Sequence, residues 1–131
     1  FEMEYIELAE GIETQICGIS ILPKRVIHMK KGIPYGYRVS WKNRTIGFSG
    51  DTEWNDNLPE LAEETDLFFM ECYSGEKKIP FHTSISELKL KSDRLNTKRL
   101  LLTHMGDEVR QLAAAGKSPF EIAHDGQRIE I

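Results

Sequence analysis

The chain has 131 residues, 40% of them apolar and 29% charged, with a net charge of −4. That is enough for one domain with a single core and too little for two. The acidic balance argues against a surface built mainly to grip a phosphate backbone, and no run approaches the roughly 20 apolar residues of a membrane span.

Phe1 stands where an initiating Met would be, so the chain is expected to begin inside a longer gene product. Cys17 and Cys72 lie far apart, with no metal-finger spacing. They are expected to be reduced thiols of a cytoplasmic protein. Lys24, Arg25, Lys30 and Lys31 surround His28 as a solvated basic loop.

In chain order, the first half is strand-like. Gln15–Leu22 and Lys24–Met29 are rich in β-branched residues and divided by Pro23, which predicts two strands. Gly36–Trp41 alternates, Lys42-Asn43 supplies a turn, and Arg44–Phe48 continues the alternation, as in a hairpin. From Asp51 onward helix and strand alternate. Asn57 is placed to cap a helix with Pro59 in its first turn, and Leu58, Leu61 and Ala62 share one face. Asp66–Cys72 is a nearly continuous apolar run, as for a strand buried on both faces. Ser84 and Glu87 have capping-box spacing and open a helix ending near Asn96. Arg99–Thr103 is a second buried strand, and Asp107 is placed to cap a third helix that stops at Gly116. The tail, Pro119–Ile131, is expected to close as a short hairpin around Asp125-Gly126. A meander followed by helix–strand units predicts an α/β (α+β) fold, one mixed sheet covered by helices on one face. The other face needs a cover from elsewhere.

Asp51, within Ser49-Gly50-Asp51-Thr52, directly follows one predicted strand, and His104 directly follows another. His28 ends or follows a strand, His82 precedes a helix, and His124 lies in the tail as a surface residue. Functional groups of sheet proteins collect at such strand ends. Asp51, His104 and His28 therefore have the position and the chemistry to converge on a metal. Imidazole nitrogen and carboxylate oxygen suit Zn²⁺, Mn²⁺ or Fe, and a carboxylate can bridge two cations. Gly50 lets the backbone turn sharply beside them. The residues alone leave a second reading open, in which these histidines are hydrogen-bonded structural groups and SGDT is a turn capped by Thr52.

Four segments, in order, resemble the second half of the metallo-β-lactamase superfamily, especially its ribonuclease Z and phosphodiesterase branch. Val26-Ile27-His28 with Gly32–Arg38 is similar to the motif in which a metal-binding His precedes a GYR strand. Ile46–Trp54 resembles the loop bearing the bridging aspartate, Phe81-His82-Thr83-Ser84 the element that opens a helix, and Leu100–Asp107 the strand ending in the last metal-binding His. The resemblance implies the C-terminal half of an αββα sandwich, a single domain over residues 1–131. It implies that His28 and His104 each bind one of two Zn²⁺ ions, Mn²⁺ or Fe being alternatives, and that Asp51 bridges them. It gives His82 a catalytic role on the leaving oxygen without metal binding, and it makes Ser49 and Thr52 supports for the Asp51 carboxylate.

The chain departs from the family in lacking the His-x-His-x-Asp-His motif that supplies the remaining ligands. It also has only about twenty residues between His28 and Asp51, where many ribonuclease Z members insert a tRNA clamp. The implied activity is metal-dependent hydrolysis of a phosphodiester or related small ester by a metal-bound hydroxide, with tRNA disfavoured and this chain inactive alone. A homo-oligomer is expected, because an open sheet face exposes more apolar surface than a soluble monomer tolerates. The rival reading is a non-catalytic half-fold that dimerises or docks on a partner.

Overall fold

The computed structural model describes residues 1–131. Seven strands form one mixed sheet in sequence order: β1 (Thr14–Ile16), β2 (Ile19–Arg25), β3 (Tyr35–Trp41), β4 (Arg44–Phe48), β5 (Leu67–Glu71), β6 (Leu100–Thr103) and β7 (Glu121–Ile122). The pairs from β1 to β4 are antiparallel, and those from β4 to β7 are parallel. The helices α1 (Asn57–Ala62), α2 (Ile85–Lys91) and α3 (Asp107–Ala114) supply the crossovers that parallel pairing requires. No helix is long and apolar enough to cross a membrane.

Alternation within the strands sorts the two faces. Phe68, Met70 and Leu102 form one cluster with Leu58 and Leu61 of α1, Ile85 and Leu88 of α2 and Val109 of α3. Each fully buried apolar side chain of this size contributes about 1.5–3 kcal/mol. Gly47 and Gly36 bring α1 down onto the sheet, since a Cβ on Gly47 would stand 2.3 Å from the Phe68 ring and one on Gly36 2.6 Å from Leu61. The opposite face carries the cross-strand row Pro23, Tyr37, Phe48, Phe69 and Leu101. The buried residues of all three helices belong to the other cluster rather than to this row, where Pro23 and Leu101 are buried while Phe48 stays 42% exposed. One mixed sheet with helices on one face is therefore the observed fold.

Several local expectations are corrected. Pro23 does not divide two strands; β2 runs through it. The Pro23 carbonyl accepts from Gly11, so this residue's backbone points away from β3, past the short β1, where a missing N–H costs no ladder bond. The break comes instead at Cys17-Gly18, both at positive φ (50° and 80°), which fold β1 back on β2 as a tight hairpin. The cap of α3 is Gly106 rather than Asp107, and Asn57 is the first residue of α1 rather than its cap. Ser84 does cap α2, accepting from the Glu87 amide, and the helix proper ends at Lys91 before a 3₁₀ turn over Ser92–Arg94. The tail forms no hairpin. β7 is two residues long and pairs parallel with β6, and the turn at Asp125-Gly126 leads into irregular chain.

Candidate metal centre

The parallel strands β4, β5 and β6 present their C-terminal ends on the same side, and the site lies there. Beyond β4, Gly50 takes φ 63°, and a Cβ on it would lie 2.8 Å from the Tyr35 carbonyl oxygen. Glycine is thus required for the turn that presents Asp51. His104 follows β6 directly, in the left-handed region at φ 51°. Its Nε2 lies 3.5 Å from Asp51 Oδ2, and His28 Nε2 lies 3.9 Å from the same oxygen. His28 arrives from beyond β2 on a loop tied to the Asp51 loop. The Ile27 amide donates to Thr52 Oγ1 at 3.0 Å, and the Glu53 amide donates to the Ile27 carbonyl at 2.9 Å. The His28 Nδ1 stands 3.3 Å from the Phe81 carbonyl, which leaves Nε2 to face Asp51.

His82 sits between these rings. Its centroid is 5.1 Å from that of His28, edge-on, and 5.4 Å from that of His104, stacked. Burial first, then the neighbouring His28 and His104, push its pKa below the usual imidazole value, so the ring is neutral near pH 7.

The sequence reading missed Glu71. It ends β5, is only 1% exposed, and accepts from the Thr52 amide at 3.1 Å and the Thr83 amide at 2.9 Å, both on Oε1. One buried carboxylate thus ties the loop after Asp51 to the loop after His82. Burial raises its pKa to about 8 despite those amides, and Oε2 has no partner. A signal was present in the sequence, for an acid inside a buried apolar run is rare unless it is paired. His82 Nδ1 lies 3.3 Å from Oε1 but off the line of a hydrogen bond, so that nitrogen has no aligned acceptor. Neither Ser49 nor Thr52 hydrogen-bonds the Asp51 carboxylate. Ser49 Oγ receives the Glu71 amide at 2.9 Å, and Thr52 holds the His28 loop, so both act on the backbone frame.

Two imidazole nitrogens and one carboxylate oxygen are donor types suited to a metal such as Zn²⁺. No three His, Cys, Asp or Glu side chains close tightly enough to hold an ion unaided. The residues present fit a partial set of metal ligands and leave coordination positions to be filled. His124, expected as a surface residue, is exposed, and it lines a cleft of about 620 Å³ whose wall also includes His104, Arg110 and Asp125.

Known proteins share this arrangement of strands. The metallo-beta-lactamase fold protein YhfI from Bacillus subtilis superposes with a TM-score of 0.77 at 21% identity, over 93% of this chain and 54% of that one. A diphosphatase from the PhnP family gives 0.75 at 22% identity, over 94% and 47%. Human tRNase Z, short form, gives 0.67 at 23% identity, over 90% and 44%. An uncharacterized protein of Mycobacterium leprae (strain TN) is 26% identical over 132 residues, 93% of this chain and 46% of that protein. The chain thus spans about half the length of the proteins it matches. The family model for the beta-lactamase superfamily domain matches residues 2–105, a stretch that takes in His28, Asp51, His82 and His104 together, and the chain belongs to that superfamily.

Proposed function

We propose that this chain is the C-terminal half of a binuclear metal-dependent hydrolase acting on a phosphodiester or related small ester. His28 and His104 each serve one Zn²⁺ ion (or Mn²⁺ or Fe), Asp51 serves both, and His82 serves the leaving oxygen. The observation that carries this reading is the convergence of two imidazole Nε2 atoms on a single oxygen, Oδ2 of Asp51, with a third imidazole packed against both rings. When bound, the ions supply Lewis acidity and lower the pKa of a coordinated water.

The chain's own residues do the remaining work. The Phe81 carbonyl orients His28, and Glu71 ties the Asp51 and His82 loops together. His82 is neutral before substrate arrives and offers a ring N–H to the oxygen where negative charge gathers. The cleft beside His104 takes the non-reacting part of the ester.

Similarity of fold to a diphosphatase and to tRNase Z supports phosphoester chemistry. The acidic balance and the short interval from His28 to Asp51 weigh against tRNA. Two free cysteines support a cytoplasmic setting. The open face with Phe48 and Trp41 favours a covering layer, supplied by an N-terminal half that also carries His-x-His-x-Asp-His. The same face supports the second reading, a module that covers its sheet by pairing with a second copy.

Bis-p-nitrophenyl phosphate tests the choice. The 131-residue chain is expected to show no metal-dependent turnover. The chain extended upstream in its own reading frame through the ligand motif is expected to show turnover that Asp51→Ala abolishes. Turnover insensitive to Asp51→Ala contradicts the site. An upstream frame without the motif contradicts the domain reading and favours the module.

A further inference from the structure

Tyr73 is the second residue beyond β5, and it packs against two members of the histidine cluster, His82 and His104. Its ring stacks on that of His82, 4.8 Å between centroids and 30° between planes, and tilts against His104 at 5.8 Å and 37°. Stacked and tilted contacts at roughly 4.5–7 Å are the arrangements aromatic rings prefer.

The Tyr73 backbone is pinned to both histidine loops. Its N–H donates to the Thr83 carbonyl at 3.0 Å, next to His82, and its carbonyl accepts from the Gly106 amide at 2.9 Å, two residues beyond His104. Gly106 makes that approach possible. A Cβ there would lie 2.5 Å from the Tyr73 carbonyl oxygen and 3.4 Å from its ring.

The buried carboxylate of Glu71 is the obvious candidate to orient His82, and its geometry is poor for that task. Oε1 is occupied by the Thr52 and Thr83 amides, and His82 Nδ1 has no aligned partner on it. The other neighbours of the ring are aromatic: His28, His104 and Tyr73. In the proposed function the first two turn to meet metal ions. Of the aromatic neighbours, Tyr73 is the one left to hold the plane of His82.

We infer that Tyr73 is a positioning residue of the site. Its ring sets the plane of His82, and its main chain sets the separation of the His82 and His104 loops. Its catalytic consequence rests on the hydrolase reading above, whereas its positioning of His82 does not. A ring held off the productive geometry lowers the rate of the step it serves, and a misplacement of about 1 Å costs on the order of 10²-fold.

The test has two arms. In the 131-residue chain, proton NMR should show nuclear Overhauser contacts between the Tyr73 and His82 rings and an upfield ring-current displacement of the His82 signals. Tyr73→Phe should keep the displacement, and Tyr73→Leu should remove it. In the protein extended through the ligand motif, Tyr73→Leu should lower kcat on an unactivated diester about 10- to 100-fold with KM within about twofold, and Tyr73→Phe should restore kcat. Absence of the inter-ring contacts in the parent chain overturns the inference whatever the variants do. So do His82 signals unchanged in Tyr73→Leu, or a Tyr73→Phe variant as slow as Tyr73→Leu. Absence of turnover in the extended parent would defeat the hydrolase reading, and the NMR arm would still decide the positioning role.

Discussion

The two halves of the sheet meet at β4 and are held in different ways. In the parallel half, Phe68, Met70 and Leu102 are fully buried under three helices. In the antiparallel half, Val26, just beyond β2, joins that core, while Trp41 at the end of β3 is 52% exposed. The site inherits this difference. Asp51, Glu71 and His104 sit at or just beyond the ends of β4, β5 and β6, so the core that fixes those strands also fixes them. His28 comes from the antiparallel half on a loop fastened by the Ile27–Glu53 backbone pair and by Thr52 Oγ1. Groups held by a few hydrogen bonds open more readily than groups held by a core. His28 is thus the proposed ligand whose position owes least to packing.

The largest expected effect lies in the rigid half. In the protein extended through the ligand motif, Asp51→Ala should remove metal and activity together, a loss of several kcal/mol in transition-state stabilisation. His82→Ala should leave metal content intact and lower kcat on the order of 10²–10⁴-fold, less for substrates with p-nitrophenolate leaving groups. Metal analysis beside kcat on an activated and an unactivated ester checks both. Equal metal loss in the two variants would break the division of roles.

Core variants sharpen the comparison next. Phe68→Ala should cost about 3–5 kcal/mol in denaturant unfolding of the chain, because it opens a cavity under α1. Trp41→Ala, on the antiparallel half, should cost less than about 1 kcal/mol. Similar losses would mean that the two halves are packed alike.

How much of this was legible in the sequence depended on what each residue answers to. The buried strands β5 and β6 showed as apolar runs, His104 showed because it directly follows β6, and Asp51 showed because it stands in the loop just beyond the alternating strand β4. Pro23 misled because a proline ends a strand only where its missing N–H faces a neighbour, and that depends on how far β1 extends. The tail hairpin failed for a similar reason. The apolar Ile122 pairs with Leu102 across the sheet and joins the core rather than folding back locally. Glu71 and Tyr73 escaped notice because their partners, Thr52, Thr83, Gly106 and His82, come from loops that only the topology brings together.

A smaller effect is expected where the flexible half is fastened to the site. Thr52→Val keeps the shape of the side chain and removes the acceptor for the Ile27 amide, freeing the His28 loop. Metal affinity in the extended protein should fall about 10–100-fold, the usual cost of losing a group that orients a ligand. Unchanged affinity by competitive chelation would show that His28 needs no such tether.

The smallest effect concerns Asp66, which stitches the halves together at the far edge. Its carboxylate accepts from Lys98 Nζ at 2.7 Å and from the Thr45 amide at 2.8 Å, with Arg44 beside it. Lys98, then Thr45, hold its pKa at about 2, below the ordinary 3.8. A depressed carboxyl pKa gives stability that is fully present above the unfolded value and lost as pH falls through the folded one. The contribution should therefore fade between pH 4 and 2, and Asp66→Asn should lack that part of the acid transition. An unaltered acid-unfolding curve for Asp66→Asn would mean that the stitch contributes nothing.

The claim that His28, Asp51 and His104 hold metal while His82 stands beside it is tested most directly by histidine-selective NMR of the protein extended through the ligand motif, during titration with Zn²⁺. Side-chain signals of His28 and His104 should move together as Zn²⁺ is added, by direct ligation, while His82 keeps an unligated imidazole signature. Asp51→Ala should weaken the response of both ligands. A His82 resonance that shows ligation, or His28 and His104 resonances that stay still at saturating Zn²⁺, would contradict the account.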